Sequence, residues 1–146
     1  TWLLYDDAGR QVASVDADGT LTELTYDRSD RVTRTIAYAT RIDVAPLVDA
    51  NGRPANVALA TIRPVATAAD RASWRAYDAA GRLVETVNAS GAVVESVYDG
   101  ASRLVRQVAY ANRVATGTLG AAPTAAAIAP TASATADRTT RWLYDA

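Results

Sequence analysis

Tyrosine is followed directly by aspartate at Tyr5-Asp6, Tyr26-Asp27, Tyr77-Asp78 and Tyr98-Asp99, and an arginine stands four residues beyond each aspartate, at Arg10, Arg31, Arg82 and Arg103. A phenol, a carboxylate and a guanidinium in that order could form an acid/base array acting on a substrate. Strand geometry argues against it. Neighbouring residues of a strand point to opposite faces, so Tyr5 and Asp6 cannot aim at one substrate atom. The same three residue types make a turn. Aspartate opens it by accepting backbone N–H bonds, tyrosine buries its ring while its hydroxyl finds a partner, and arginine pairs with the aspartate of its own or the next hairpin.

Few other chemistries are open to this chain. It contains no Cys, His, Met, Phe or Lys, and all 15 of its basic residues are arginine. Zinc fingers, thiol nucleophiles, Ser-His-Asp triads and imidazole bases are therefore excluded. Asp16 and Asp18 before Gly19 look like part of a calcium loop, since alternating carboxylates can converge on a hard cation. The matching turn carries Asn88 and Ser90, however, and no glutamate arrives at the distal ligand position. No metal, cofactor or catalytic residue is assigned, and the chain is not expected to be an enzyme. Trp2, Trp74, Tyr38 and Tyr110 recur at equivalent places with arginines between them, so they could stack on sugar rings. Packing between repeats would place them equally well.

Two nested periods position these residues. The short one runs from Tyr5 to Tyr26 and again from Tyr77 to Tyr98, as YDxx[G/D/S]R, with Gly9 and Gly81 at the bracketed position. The long one is about 70 residues and gives units at 1–73 and 74–140, with a partial third at 141–146. Each long unit has a tail, IAYATRI at 36–42 and VAYANRV at 108–114, followed by an Ala/Pro-rich insert ending in Asp-Arg. The turn signals DDAG, DADG, DAAG and NASG, each with Asp or Asn first and Gly last, specify a run of hairpins. Strands are predicted at 2–5, 10–15, 20–26 and 31–39, and at 74–77, 82–87, 92–98 and 103–110. The fold class is mainly β, built of tandem antiparallel hairpins. Apolar residues on both strand faces point to a sheet that is covered on both sides or stacked on neighbouring repeats.

The inserts, at 43–73 and 115–140, are too long for structureless loops. Pro-bounded and Ala-rich, each is predicted to hold one short helix, with Asn56 and Thr124 as N-caps and Pro64 and Pro130 as the stops. Ile62 and Pro64 align with Ile128 and Pro130, so the inserts belong to the repeat. Trp142 precedes its tyrosine by two residues where Trp2 and Trp74 precede theirs by three, and should point to the opposite face.

A net charge of −1 and a pI near 5.3 argue against a nucleic-acid surface. No apolar run of 18 residues is present, so no membrane span is expected. Opening on Thr1 without an initiator or leader pattern, the chain is expected to be an excised segment.

With YDxx[G/D/S]R in four copies, two of them YDxxGR, and the VAYANRV tail, the chain resembles the RHS/YD-repeat family over essentially its whole length. That resemblance implies β-hairpin units winding into a spiral sheet or shell, within a large exported or surface-associated bacterial protein. It further implies a scaffold that encloses or displays another domain of the same polypeptide, with neighbouring repeats as the immediate partners. The chain is expected to be secreted or at the cell surface on this ground alone. An adhesive surface for glycans or a partner protein is the alternative. Asp30 and Ser102 stand where the family has glycine, and those two turns are expected to close differently or more loosely.

Overall fold

The computed structural model describes residues 1–145. Nine strands form one open sheet in which every strand pairs antiparallel with its sequence neighbours: β1 (Trp2–Tyr5), β2 (Gln11–Val15), β3 (Leu21–Tyr26), β4 (Val32–Ala37), β5 (Arg71–Tyr77), β6 (Leu83–Val87), β7 (Val93–Tyr98), β8 (Leu104–Ala109) and β9 (Arg138–Arg141). The fold is mainly β, as the turn spacing predicts. The strands fall close to their predicted positions, with one systematic difference. β5 begins at Arg71 and β9 at Arg138, so the Asp-Arg pair that ends each insert already starts the next strand.

The turns follow local chemistry. In the β1–β2 turn the Asp6 carbonyl accepts from Gly9 N–H at 2.9 Å, while Asp6 Oδ1 accepts from the amides of Ala8 and Arg10 at 3.0 and 2.9 Å. Each Tyr-Asp hairpin then carries a register shift where its tyrosine meets the partner strand, as between Leu4 and Tyr5. The DADG and NASG hairpins continue in regular register. Asp30 and Ser102 do not loosen their turns. They adopt φ of 58° and 60° and donate to the Asp27 and Asp99 carbonyls at 3.2 and 3.0 Å, the same closure glycine makes in the other two.

Both inserts fold onto one face of the sheet. The first packs Leu47, Val57, Leu59 and Ile62 on Ala13, Val15 and Leu21, and the second packs Leu119 and Ile128 on Trp74, Ala76, Val87 and Val93. The cover is therefore one-sided. Each insert is closed at its root by an aspartate: Asp70 accepts from Ala39 N–H at 2.9 Å, and Asp137 from Ala111 N–H at 2.8 Å. Short helices occur in both, α1 (Leu59–Ile62) and α2 (Ala125–Ile128), and Pro64 and Pro130 follow directly on their C-caps. Thr124 caps α2 through its hydroxyl, but the N-cap of α1 is Ala58 and not Asn56, and it offers no side-chain bond.

Candidate functional site

The repeated residues come together as a chain of identical clamps along the end of the sheet where the Tyr-Asp turns lie. In each, the arginine returns its Nε to the aspartate of its own turn: Arg10 to Asp6 at 2.8 Å, Arg31 to Asp27 at 2.8 Å, Arg82 to Asp78 at 2.7 Å and Arg103 to Asp99 at 2.8 Å. The same guanidinium lies over the tyrosine ring of the next motif. The distances to the centroid are 5.0 Å for Arg10 on Tyr26, 4.6 Å for Arg31 on Tyr77, 5.1 Å for Arg82 on Tyr98 and 4.8 Å for Arg103 on Tyr144. Each tyrosine closes the link by donating its hydroxyl to the carbonyl just after that arginine: Tyr26 to Gln11, Tyr77 to Val32, Tyr98 to Leu83 and Tyr144 to Leu104, at 2.6 to 3.0 Å.

The four aspartates are held below the usual carboxylate range. For Asp6 and Asp27 the guanidinium hydrogen bond of the following arginine is the larger cause; for Asp78 and Asp99 it is that arginine's backbone amide. A carboxylate so bound is a poor base, and an arginine committed to both a carboxylate and a ring is not available to a substrate anion. Gly9 and Gly81 close their turns at φ of 77° and 81°. Sequence reasoning placed the arginine beside a turn aspartate; its stacking on the following tyrosine went unseen, because that partner lies one hairpin or one whole insert further along the chain. The recurrence of Arg and Tyr in fixed phase was the available signal.

Of the four candidate sugar-stacking aromatics, two are core residues and two are partly buried. Tyr38 and Trp74 are each only 6% exposed, and Trp2 and Tyr110 pack against the same insert-covered clusters. Their polar atoms are taken up internally: Trp74 Nε1 donates to the Gly120 carbonyl at 3.1 Å, Tyr38 to Glu23 at 2.7 Å and Tyr110 to Glu95 at 2.9 Å. Burial and the neighbouring glutamate push both phenols up to about 12. Trp142 sits one place past Arg141, the residue opposed to Arg106 as Trp74 is to Arg34, and so faces away from the Trp74 side.

Asp18 is engaged by Arg41 and by Thr20 N–H, and no group of three or more acidic side chains suited to a metal ion occurs among the described residues. A groove of about 410 Å³ runs between the two inserts and is lined by Arg34, Asp70, Trp74, Thr116 and Leu119. No helix among the described residues is long and apolar enough to cross a membrane.

The family model described as RHS Repeat matches residues 5–41 and 77–115, just over half of the chain. The two matched stretches cover the paired hairpins and their tails and leave out the inserts. No curated protein matches the chain.

Proposed function

The chain belongs to the RHS-repeat family, and from that premise we propose that it is a non-catalytic segment of a β-scaffold that encloses or displays another domain of a large exported bacterial protein. The observation that carries this is the unbroken run of Asp-Arg-Tyr clamps, which fastens every Tyr-Asp hairpin to the next and commits the chain's most reactive-looking residues to structure. A wall needs stiffness along its length, and four linked clamps supply it. Its partners in this role are neighbouring repeats and the enclosed or displayed domain.

The test is made on the complete polypeptide that contains these repeats. With the native sequence, limited proteolysis should spare a domain outside the repeats. With Arg31→Ala and Arg82→Ala together, that domain should be cleaved at least several-fold faster. Equal cleavage in both would remove the enclosure role. The adhesive alternative would rest on Trp2, Trp74, Tyr38 and Tyr110, of which Tyr38 and Trp74 are buried in the insert-covered clusters.

A further inference from the structure

At one buried place the two long units differ in charge. In the first unit Glu23 lies opposite Ala13 on the insert-covered face, and Arg63, just past α1, reaches down to it with Nε and Nη2, both at 2.8 Å. The insert thus carries its own cation onto the sheet. In the second unit the equivalent strand position of Ala13 is Glu85, opposed directly to Glu95. The residue after α2 is Ala129, in the left-handed region at φ 40°, where the residue after α1 is the extended Arg63. One carboxylate is added and the arginine is gone.

Glu85 is 7% exposed, and its Oε2 is fully buried without a hydrogen-bond partner. It shares a face with Ala76, Val87 and Val93, the residues against which Ile128 of the insert packs. The charged groups around it are few. Glu95 faces it from β7, bonded to the Tyr110 hydroxyl and 3.7 Å from Arg106 of β8; Tyr110 follows β8. β5 opposes it with Ala76. The insert holds no ionisable residue between Arg113, which donates to the Ser90 carbonyl, and Asp137, which accepts from the amides of Ala111 and Ser133.

We propose that the second insert is a proton-controlled cover: it seats on the sheet while Glu85 carries a proton, and lifts when that proton leaves to solvent and two facing carboxylates remain beneath it. The first insert, clamped by Arg63, stays seated. Burial, and behind it the charge of Glu95, pushes the Glu85 carboxyl up to about 7. A carboxyl raised in the folded state favours the closed form at low pH and loses that advantage as pH rises through its folded value. The device stands independently of the scaffold role.

Amide hydrogen exchange on this chain, corrected for intrinsic rates, tests it between about pH 5.5 and 8.5. Protection at 119–129 should fall roughly tenfold or more across that range, while protection at 57–63 changes little. Glu85→Gln should keep the second insert protected throughout and remove its pH response. A carbon-detected NMR titration should place the Glu85 carboxyl near neutrality. Equal pH response of the two inserts, an unaltered response in Glu85→Gln, or a Glu85 carboxyl titrating in the ordinary range would each overturn the proposal. If Glu85→Gln does not fold, the comparison of the two inserts within the native chain decides.

Discussion

At the scale of the residue, each clamp is three weak interactions, two sharing one guanidinium and the third tying the stacked tyrosine to the neighbouring carbonyl. An exposed cation–π contact contributes about 0.5–1 kcal/mol, and a tyrosine hydroxyl bonded to a carbonyl about 1 kcal/mol. Tyr77 bridges the two long units, with its ring under Arg31 and its hydroxyl on Val32. Tyr77→Phe should therefore cost about 1 kcal/mol, read as a lower urea midpoint at unchanged slope. Ser102 pays the left-handed penalty at φ 60° for a single long bond, 3.3 Å from Arg82 Nη1. Ser102→Gly should raise stability by roughly 0.5–1 kcal/mol, and a fall in the thermal midpoint would count against the account. The turn aspartates and arginines were legible in the sequence because their bonds close within four residues. The tyrosine under each arginine was not, since nothing in Arg31 names a ring beyond the insert.

At the scale of the element, glycines of the same motif have different duties. A Cβ on Gly9 would meet nothing within 4 Å, whereas one on Gly91 would come within 2.3 Å of the Val114 carbonyl oxygen, because the tail of the unit hydrogen-bonds back onto that turn. Gly9→Ala should cost only the conformational term, about 1–2 kcal/mol. Gly91→Ala should cost clearly more and should loosen residues 110–114, as an amide-exchange comparison of the two variants would show. The inserts are held by different means. Arg63→Ala leaves Glu23 under the first insert with Tyr38 as its remaining bonded partner, and should release residues 43–63 at a cost of roughly 2–3 kcal/mol. Helices and their proline stops were visible from composition. The cap of α1 was not, since Asn56 lies two residues before the N-cap that the chain adopts.

At the scale of the whole molecule, two sets of carboxylates pull its pH profile in opposite directions. Asp6, Asp27, Asp78 and Asp99 are depressed by their clamps, so their contribution is present above the ordinary aspartate value and is lost as pH falls through their folded values. Glu85 is raised to about 7, so its contribution is complete below the ordinary glutamate value and declines as pH rises toward neutrality. Stability should peak near pH 4.5–5, below the usual range for globular proteins, and a thermal-midpoint series across pH 3 to 9 checks it. Hairpins, their order and their turns are written locally in the chain, because a strand's period and an aspartate's bonds to the next few amides involve only near neighbours. That both inserts lie on one face, that Arg31 meets Tyr77, and that Arg63 reaches Glu23 while Glu85 has no such partner emerges only in the folded sheet. Those are encounters between residues tens of positions apart, and their energies depend on burial and neighbouring charge, which exist only once the sheet has formed.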